Sequence, residues 1–245
     1  MAHSGGANLD KDEILRKVSS IEWYHAIEIA PGIVTPGRYD PKPLLDLMGF
    51  PKDLSGKTVL DIGAYDGFFT FEAERRGARR VVALDRHPAT HLGFALAHEL
   101  VGSKAEYVVG SVYDLSPETH GIFDVVLFLG VFYHLRHPLL ALDKIHSVCS
   151  EYTLVESHVL DESFVRQGKI VPLKSIHRDL KDTPIMQFYP NNELNSDWSN
   201  WWAPNVECLR AMLETSGFRA ELMGRWGHRA AFKATRVDFT PPHWY

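Results

Sequence analysis

From residue 57 onward, short β-branched apolar runs alternate with longer stretches in which apolar positions recur every three or four residues. The runs KTVLDIG (57–63), RVVALD (80–85), AEYVVGSV (105–112), FDVVLFLG (123–130) and YTLVESHV (152–159) predict buried strands. GFFTFEAERRGA (67–78), HLGFALAHELVG (91–102) and HPLLALDKIHSVC (137–149) predict the amphipathic helices between them, the first closed by Gly77. Such alternation predicts an α/β fold with a parallel sheet wound on both faces. A polar insertion at about 161–203 follows. It leads to a helix over Asn205–Ser216 and two further strands, about 219–224 and 229–235, joined as a hairpin through Arg225-Trp226-Gly227-His228.

Upstream of the sheet the pattern is less regular. Residues 1–9 read as a frayed tail, and Asp10 is the N-cap candidate of a helix reaching about Ile21. The segment 23–41, WYHAIEIAPGIVTPGRYDP, alternates like a strand around Ile27–Ile29 and carries the turn pairs Pro31-Gly32 and Pro36-Gly37. It reads as a lid or capping strand. The chain therefore divides into a helix-and-lid segment, 1–56, and a larger unit, 57–245.

Composition narrows the class. In 245 residues, 45% are apolar and the formal net charge is −5, which excludes a disordered chain. No uninterrupted apolar stretch is long enough to span a bilayer, and the N-terminus lacks a secretory apolar core. The expectation is a soluble cytoplasmic protein with no membrane partner. Cys149 and Cys208, both inside apolar helical patterns, read as buried thiols. The basic clusters Arg75, Arg76, Arg79, Arg80 and Lys169, Lys174, Arg178, Lys181 sit at a helix end or among acidic residues, so charge does not argue for a nucleic-acid partner. A homo-oligomer is left open.

The strongest chemical signal is Asp61-Ile-Gly63-Ala-Tyr65-Asp-Gly67 at a strand-to-helix junction, where glycines let the backbone turn tightly and approach a ligand. A dinucleotide fingerprint needs glycine at 65 and 68, where Tyr and Phe stand, and a P-loop needs Gly-Lys-Ser/Thr. A nucleoside without a phosphate linker fits instead. Asp85 ends the next strand, where a carboxylate accepts both ribose hydroxyls, and Gly110–Asp114 ends the third, placed to receive adenine. Together with Leu129-Gly-Val-Phe-Tyr133-His134 after the fourth strand, these motifs resemble the class I S-adenosylmethionine-dependent methyltransferases over about residues 57–235. The resemblance implies a Rossmann-like sheet of seven strands, mostly parallel, with an antiparallel C-terminal hairpin and helices on both faces. By it, Asp61, Gly63, Tyr65 and Gly67 line the methionine and ribose side, Asp85 with Arg86 beside it holds the ribose, Ser111 and Val112 frame adenine, and Leu129 floors the site. Tyr65 replaces a glycine common in this loop, which narrows the space beside the methionine without removing the turn.

A closer likeness lies in Gly130-Val-Phe-Tyr-His-Leu-Arg-His-Pro138, Leu154-Val-Glu156 and Pro204-Asn205, which resemble the catalytic half of the tRNA wobble-uridine carboxymethyltransferases. That family carries a lysine upstream of the sheet that helps hold a carboxylated cofactor. The matching stretch here, Trp23-Tyr24-His25-Ala26, has no lysine and resembles the opening of small-molecule and sugar O-methyltransferases.

Methyl transfer to a hydroxyl needs an aligned nucleophile and a group to take its proton, and strand ends at the sheet's C-terminal edge supply such groups. His158 is the first candidate base, its basicity raised by a neighbouring carboxylate such as Glu156; His134 is second, with Tyr133 beside it, and His25 of the lid is third. Acceptor-binding candidates are Trp23, Tyr24, His25 and Glu156. In the insertion they are Tyr189, Glu193, Asp197, Asn200 and Trp201, short polar groups and indoles suited to a hydroxyl-rich ligand. A magnesium ion held by His158 with Asp161, or by Glu193 with Asp197, is left open, and no residue is assigned as a metal ligand. The expectation is an O-methyltransferase that converts S-adenosylmethionine to S-adenosylhomocysteine on a small hydroxylated acceptor, a saccharide or other natural product. The alternatives are a tRNA wobble-uridine modifier and a methyltransferase-like subunit without turnover.

Overall fold

The computed structural model describes residues 10–162 and 164–238; the tail expected at 1–9 lies outside them. Seven strands form the central sheet: β1 (Thr58–Ile62), β2 (Arg80–Asp85), β3 (Glu106–Val109), β4 (Phe123–Leu129), β5 (Cys149–His158), β6 (Phe218–Trp226) and β7 (Arg229–Arg236). Their spatial order is β6-β7-β5-β4-β1-β2-β3. The first five run parallel, with Val59 beside both Val81 and Val125. β7 pairs antiparallel with β5 (Phe232 opposite Val155) and with β6. The chain order reverses between β1 and β4, which opens a crevice at the C-terminal edge.

Alternation along the strands decides which side chains meet which layer. Val59, Val81, Ala83, Val125, Leu127 and Leu154 point to one face, where they join α2 (Phe68–Arg75), α3 (Phe94–Val101) and the N-terminal segment in one buried cluster. Leu60, Ile62, Val82, Leu84, Val126, Phe128 and Val155 point to the other, against two helices at Pro138–Val148 and Val206–Thr215. Each such buried aliphatic side chain contributes about 1.5–3 kcal/mol. Helix α2 ends as its sequence predicts: Gly77 is left-handed at φ 86°, and its N–H and that of Ala78 reach back to the carbonyls of Glu74 and Ala73.

The segment before the sheet is a working part of the core. Its helix, α1, runs Lys11–Ser19, with Ile14 and Val18 buried in the same cluster as the sheet. Trp23 is buried, its indole N–H donates to Val18 O at 2.9 Å, and its ring covers Gly93, where a Cβ would lie 2.1 Å from it. Glu28–Ala30 and Ile33–Val34 form the predicted strand with its turn at Pro31-Gly32.

Two expectations, the setting of Cys149 and the hairpin turn, are corrected, and the insertion gains a structure. Cys149 opens β5 rather than sitting in a helix, because its backbone turns extended to pair with Phe123; its thiol is buried and free, that of Cys208 half-buried and free. The 161–203 insertion is structured: Phe164–Arg166 pairs with Lys169–Val171, and Met186–Phe188 with Trp202–Pro204, over a small core of Leu160, Leu173, Tyr189, Leu194 and Ala203. The C-terminal hairpin turns one step later than expected, on Gly227-His228, with a bulge between Leu222 and Gly224.

Candidate active site

The loop between β1 and α2 folds tightly because three of its residues are left-handed: Gly63 (φ 76°), Tyr65 (φ 56°) and Gly67 (φ 96°). Gly63 N–H donates to Leu84 O at 2.8 Å, tying the loop to β2. A Cβ at Gly63 would lie 2.5 Å from the Val131 side chain, so the close approach of loop and β4 requires glycine. Tyr65 bears the cost of a left-handed backbone, about 1–2 kcal/mol, and swings its half-exposed ring outward, edge-on to Tyr24 at 5.5 Å. The turn therefore survives the tyrosine. No side chain caps α2, so the N–H groups of its first turn remain for a ligand.

Asp85 is 7% exposed and has no cationic partner among the described residues; instead its two oxygens accept the backbone N–H groups of Tyr65 (3.0 Å) and His87 (2.9 Å). A buried carboxylate held by two loops at the crevice, with its remaining lone pairs free, supplies the acceptors to which the two hydroxyls of a vicinal diol donate. Asp61 is buried against Thr70 Oγ1 at 2.6 Å; burial, partly offset by that bond, pushes its pKa up to about 6. Ser111 accepts from Tyr113 N–H at 3.2 Å and turns the chain after β3, leaving Val112 buried, while Leu129 is buried at the end of β4. Arg86 is exposed, its Nε donating to His87 Nε2 at 2.9 Å. The residues present fit the cofactor expected from the sequence.

Across the crevice stands a cluster of which sequence reasoning missed one member, Arg229. Glu156 of β5 is 3% exposed and pairs with Arg229 of β7 through both oxygens, Arg229 Nη2 donating to Oε2 at 2.6 Å. Arg229 also donates to the Tyr133 hydroxyl at 3.2 Å, with its guanidinium over that ring. Burial opposes the Arg229 charge, but Glu156 outweighs it and holds the pKa above its ordinary value; burial raises that of Tyr133. Nothing local in the sequence flags Arg229. Only the strand pairing Arg229–His158 brings it beside Glu156.

Glu156 is therefore not the partner of His158, correcting the sequence expectation. His158 is 4% exposed, its Nε2 has no hydrogen-bond partner, and burial, with Arg229 nearby, lowers its pKa to about 4. His134 is held from the insertion: Ser199 Oγ lies 2.9 Å from its Nδ1 and bonds in turn to Asp197 at 2.7 Å, while burial lowers its pKa.

The other predicted residues divide. Trp201 N–H donates to Tyr133 O at 2.8 Å, and Arg136 lies 4.3 Å over the Trp201 ring, so the insertion is clasped to the end of β4. Tyr189 and Asn200 are buried nearby, the hydroxyl of one and the Oδ1 of the other without partners. Glu193 instead caps its own turn through Asn191 N–H at 2.9 Å, and Trp23 is core, as described above. Tyr24 and His25 reach the cofactor loop: both backbone N–H groups donate to Asp66 Oδ2 (2.9 and 2.7 Å), and His25 Nδ1 bonds to Asp66 Oδ1. A cavity of about 350 Å³ lies alongside, lined by Glu22, Tyr24, Arg38, Tyr65, His91 and Leu92. Among the described residues no three His, Cys, Asp or Glu side chains cluster as metal ligands, and Asp161 is engaged by Val206 N–H and Arg225.

Comparison with known proteins agrees with this fold. Residues 37–232 match the family model described as "Methyltransferase domain". A tRNA U34 carboxymethyltransferase of Dichelobacter nodosus is 30% identical over 172 residues, covering 69% of this chain and 48% of that protein. One from Desulforapulum autotrophicum is 33% identical over 95 residues, covering 39% and 29%. The chain thus spans about half, or less, of the curated relatives it matches. The N-terminal domain of EvdMO1, solved in the presence of SAH and D-fucose, shares the fold with a TM-score of 0.66 at 21% identity, covering 95% of this chain and 99% of that one. With the family model spanning most of the chain and the sheet and cofactor loop in place, this protein belongs to the class I S-adenosylmethionine-dependent methyltransferases.

Proposed function

We propose that this enzyme transfers an ordinary methyl group from S-adenosylmethionine to a hydroxyl of a small, uncharged acceptor such as a saccharide or another natural product. The observation that carries the reading is the pairing of Glu156 with Arg229. A carboxylated cofactor, or an acceptor bound through phosphate, needs a free cation beside the reacting group. Here the half-buried cation at the start of β7 is already neutralised by Glu156, and both of its terminal nitrogens also reach the Tyr133 hydroxyl. A site balanced in this way favours neutral hydroxyls, to which Tyr133, Glu156 and the polar insertion offer acceptors and donors.

The cofactor supplies a methyl on a positively charged sulfur. This chain's residues do the rest: Asp85 fixes the ribose, the α2 N-terminus and the loop orient the methionine end, and Leu129 and Val112 exclude water from the base side. The tRNA-modifying relatives support a second reading, carboxymethyl transfer to a wobble uridine. Cytoplasmic residence remains part of the proposal; among the described residues, no helix is long and apolar enough to cross a membrane.

Calorimetric titration separates the two readings. S-adenosylmethionine is expected to bind at least tenfold more tightly than carboxy-S-adenosylmethionine, about 1.4 kcal/mol. Saturated enzyme is expected to release S-adenosylhomocysteine with members of a panel of D-fucose, methyl α-D-glucopyranoside and catechol. Tighter binding of the carboxylated cofactor, with no turnover of the panel, overturns the proposal in favour of tRNA.

A further inference from the structure

The geometry points to His25, oriented by Asp66, as the group that takes the proton from the acceptor hydroxyl. This inference rests on the O-methylation reading above. Asp66 is fully buried inside the cofactor loop, between Tyr65 and Gly67, and three groups of the N-terminal segment converge on it. Oδ2 accepts the N–H groups of Tyr24 and His25, and Oδ1 bonds His25 Nδ1. A carboxylate on Nδ1 fixes the tautomer that leaves a lone pair on Nε2 and stabilises the imidazolium once a proton arrives.

The opposite nitrogen is available. Among the described residues His25 Nε2 has no hydrogen-bond partner, and it is not one of the sealed, partnerless polar atoms that include His158 Nε2. The ring is held from several sides by Tyr24, Tyr39, Phe68 and Phe69, with centroids 4.7 to 5.8 Å away. Its titratable neighbours are Asp66, Tyr24 and Tyr39, with Asp61 near enough to feel its charge. Tyr39 connects the dyad to the acceptor side, because its phenol lies within the fields of Glu156, Arg229 and Tyr133.

His25 is therefore anchored by Asp66 to the loop that holds the cofactor, next to Tyr39, whose phenol lies within the fields of Glu156 and Tyr133. His158 lacks a carboxylate partner, and His134 spends Nδ1 on Ser199. In the step, the acceptor oxygen forms a bond to the methyl carbon while the carbon–sulfur bond breaks. The electron pair stays on sulfur, and the hydroxyl proton passes to His25 Nε2.

The test uses the whole chain and the acceptor panel above, with His25→Asn as first variant, since an asparagine amide can still donate to Asp66 where Nδ1 did. His25→Gln is the second, should the first fail to fold. The variant is expected to bind S-adenosylmethionine within threefold of wild type, to melt at the wild-type temperature and to lose turnover about 10²-fold or more. Wild-type kcat/KM is expected to rise toward alkaline pH, and that rise to vanish in the variant. Wild-type turnover in a folded variant overturns the assignment. If the wild-type enzyme methylates nothing in the panel, the O-methylation reading fails by itself, and long-range ¹H–¹⁵N spectra then judge the dyad. A His25 signal with Nδ1 protonated and Nε2 titrating supports it; a neutral ring protonated on Nε2 overturns it.

Discussion

Single residues in this enzyme owe their chemistry to what their strand neighbours do. His158 is two positions from Glu156 on β5, and residues two apart on a strand share a face. Proximity alone suggested an acid–imidazole pair. Arg229 takes the carboxylate instead, and the histidine is left buried beside a cation, with its pKa lowered to about 4. The consequence for stability has a definite sign. An unfolded histidine binds its proton near pH 6.5, whereas the folded one refuses it until about pH 4, so acid favours the unfolded chain and stability falls as pH drops through that window. At pH 4.5 this histidine accounts for about 2.5 kcal/mol of the loss relative to pH 7.5. Guanidinium unfolding of His158→Gln at both values is expected to show that much less acid sensitivity than wild type. An unchanged pH difference refutes the shift.

At the scale of elements, Asn205 joins the insertion to the helix Val206–Thr215. Its Oδ1 accepts Cys208 N–H at 2.8 Å as an N-cap, and its amide donates to the carbonyls of Leu180 (2.9 Å) and Thr183 (2.8 Å). The residue is fully buried, so none of these bonds is replaced by water on truncation. Asn205→Ala is expected to cost about 2–3 kcal/mol, more than a surface cap, because cap and carbonyls are orphaned together. Thermal melts of the variant measure the loss directly. A cost below about 0.5 kcal/mol would show that the insertion holds itself.

At the scale of the whole molecule, β5, β7, the 132–134 turn and the N-terminal segment each bring one part of the site, and no pair is close in sequence. Glu156 and Arg229 are the clearest case. Removing Glu156 leaves a half-buried cation uncompensated, so Glu156→Gln is expected to destabilise the fold by about 2 kcal/mol, less than for a fully buried pair. Arg229→Met added to that variant restores most of the loss, since the pair then gives way to apolar packing. Chemical denaturation of the two variants decides the matter, and additive losses would show that the pair is not coupled. The same single variant frees Arg229, and its affinity for carboxy-S-adenosylmethionine is expected to rise relative to wild type.

The β-branched apolar runs and the glycine-rich turn determined the sheet, its two covered faces and the position of Asp85, because a continuous apolar strand, a left-handed turn and a strand-end carboxylate are local properties of consecutive residues. Tyr133 and Glu156 were legible for the same reason, as strand-end groups at the edge where ligands bind. What only the tertiary structure decided is which of these groups hold one another. The bond from Asp66 to His25 spans 41 positions and that from Arg229 to Glu156 spans 73, and each depends on how separate strands and segments come to lie side by side. Trp23 became core and Glu193 a turn cap for the same reason: an aromatic or polar side chain carries no local mark of whether it meets a ligand or its own backbone. Charge pairing between distant strands is set by register, and register is a property of the sheet as a whole.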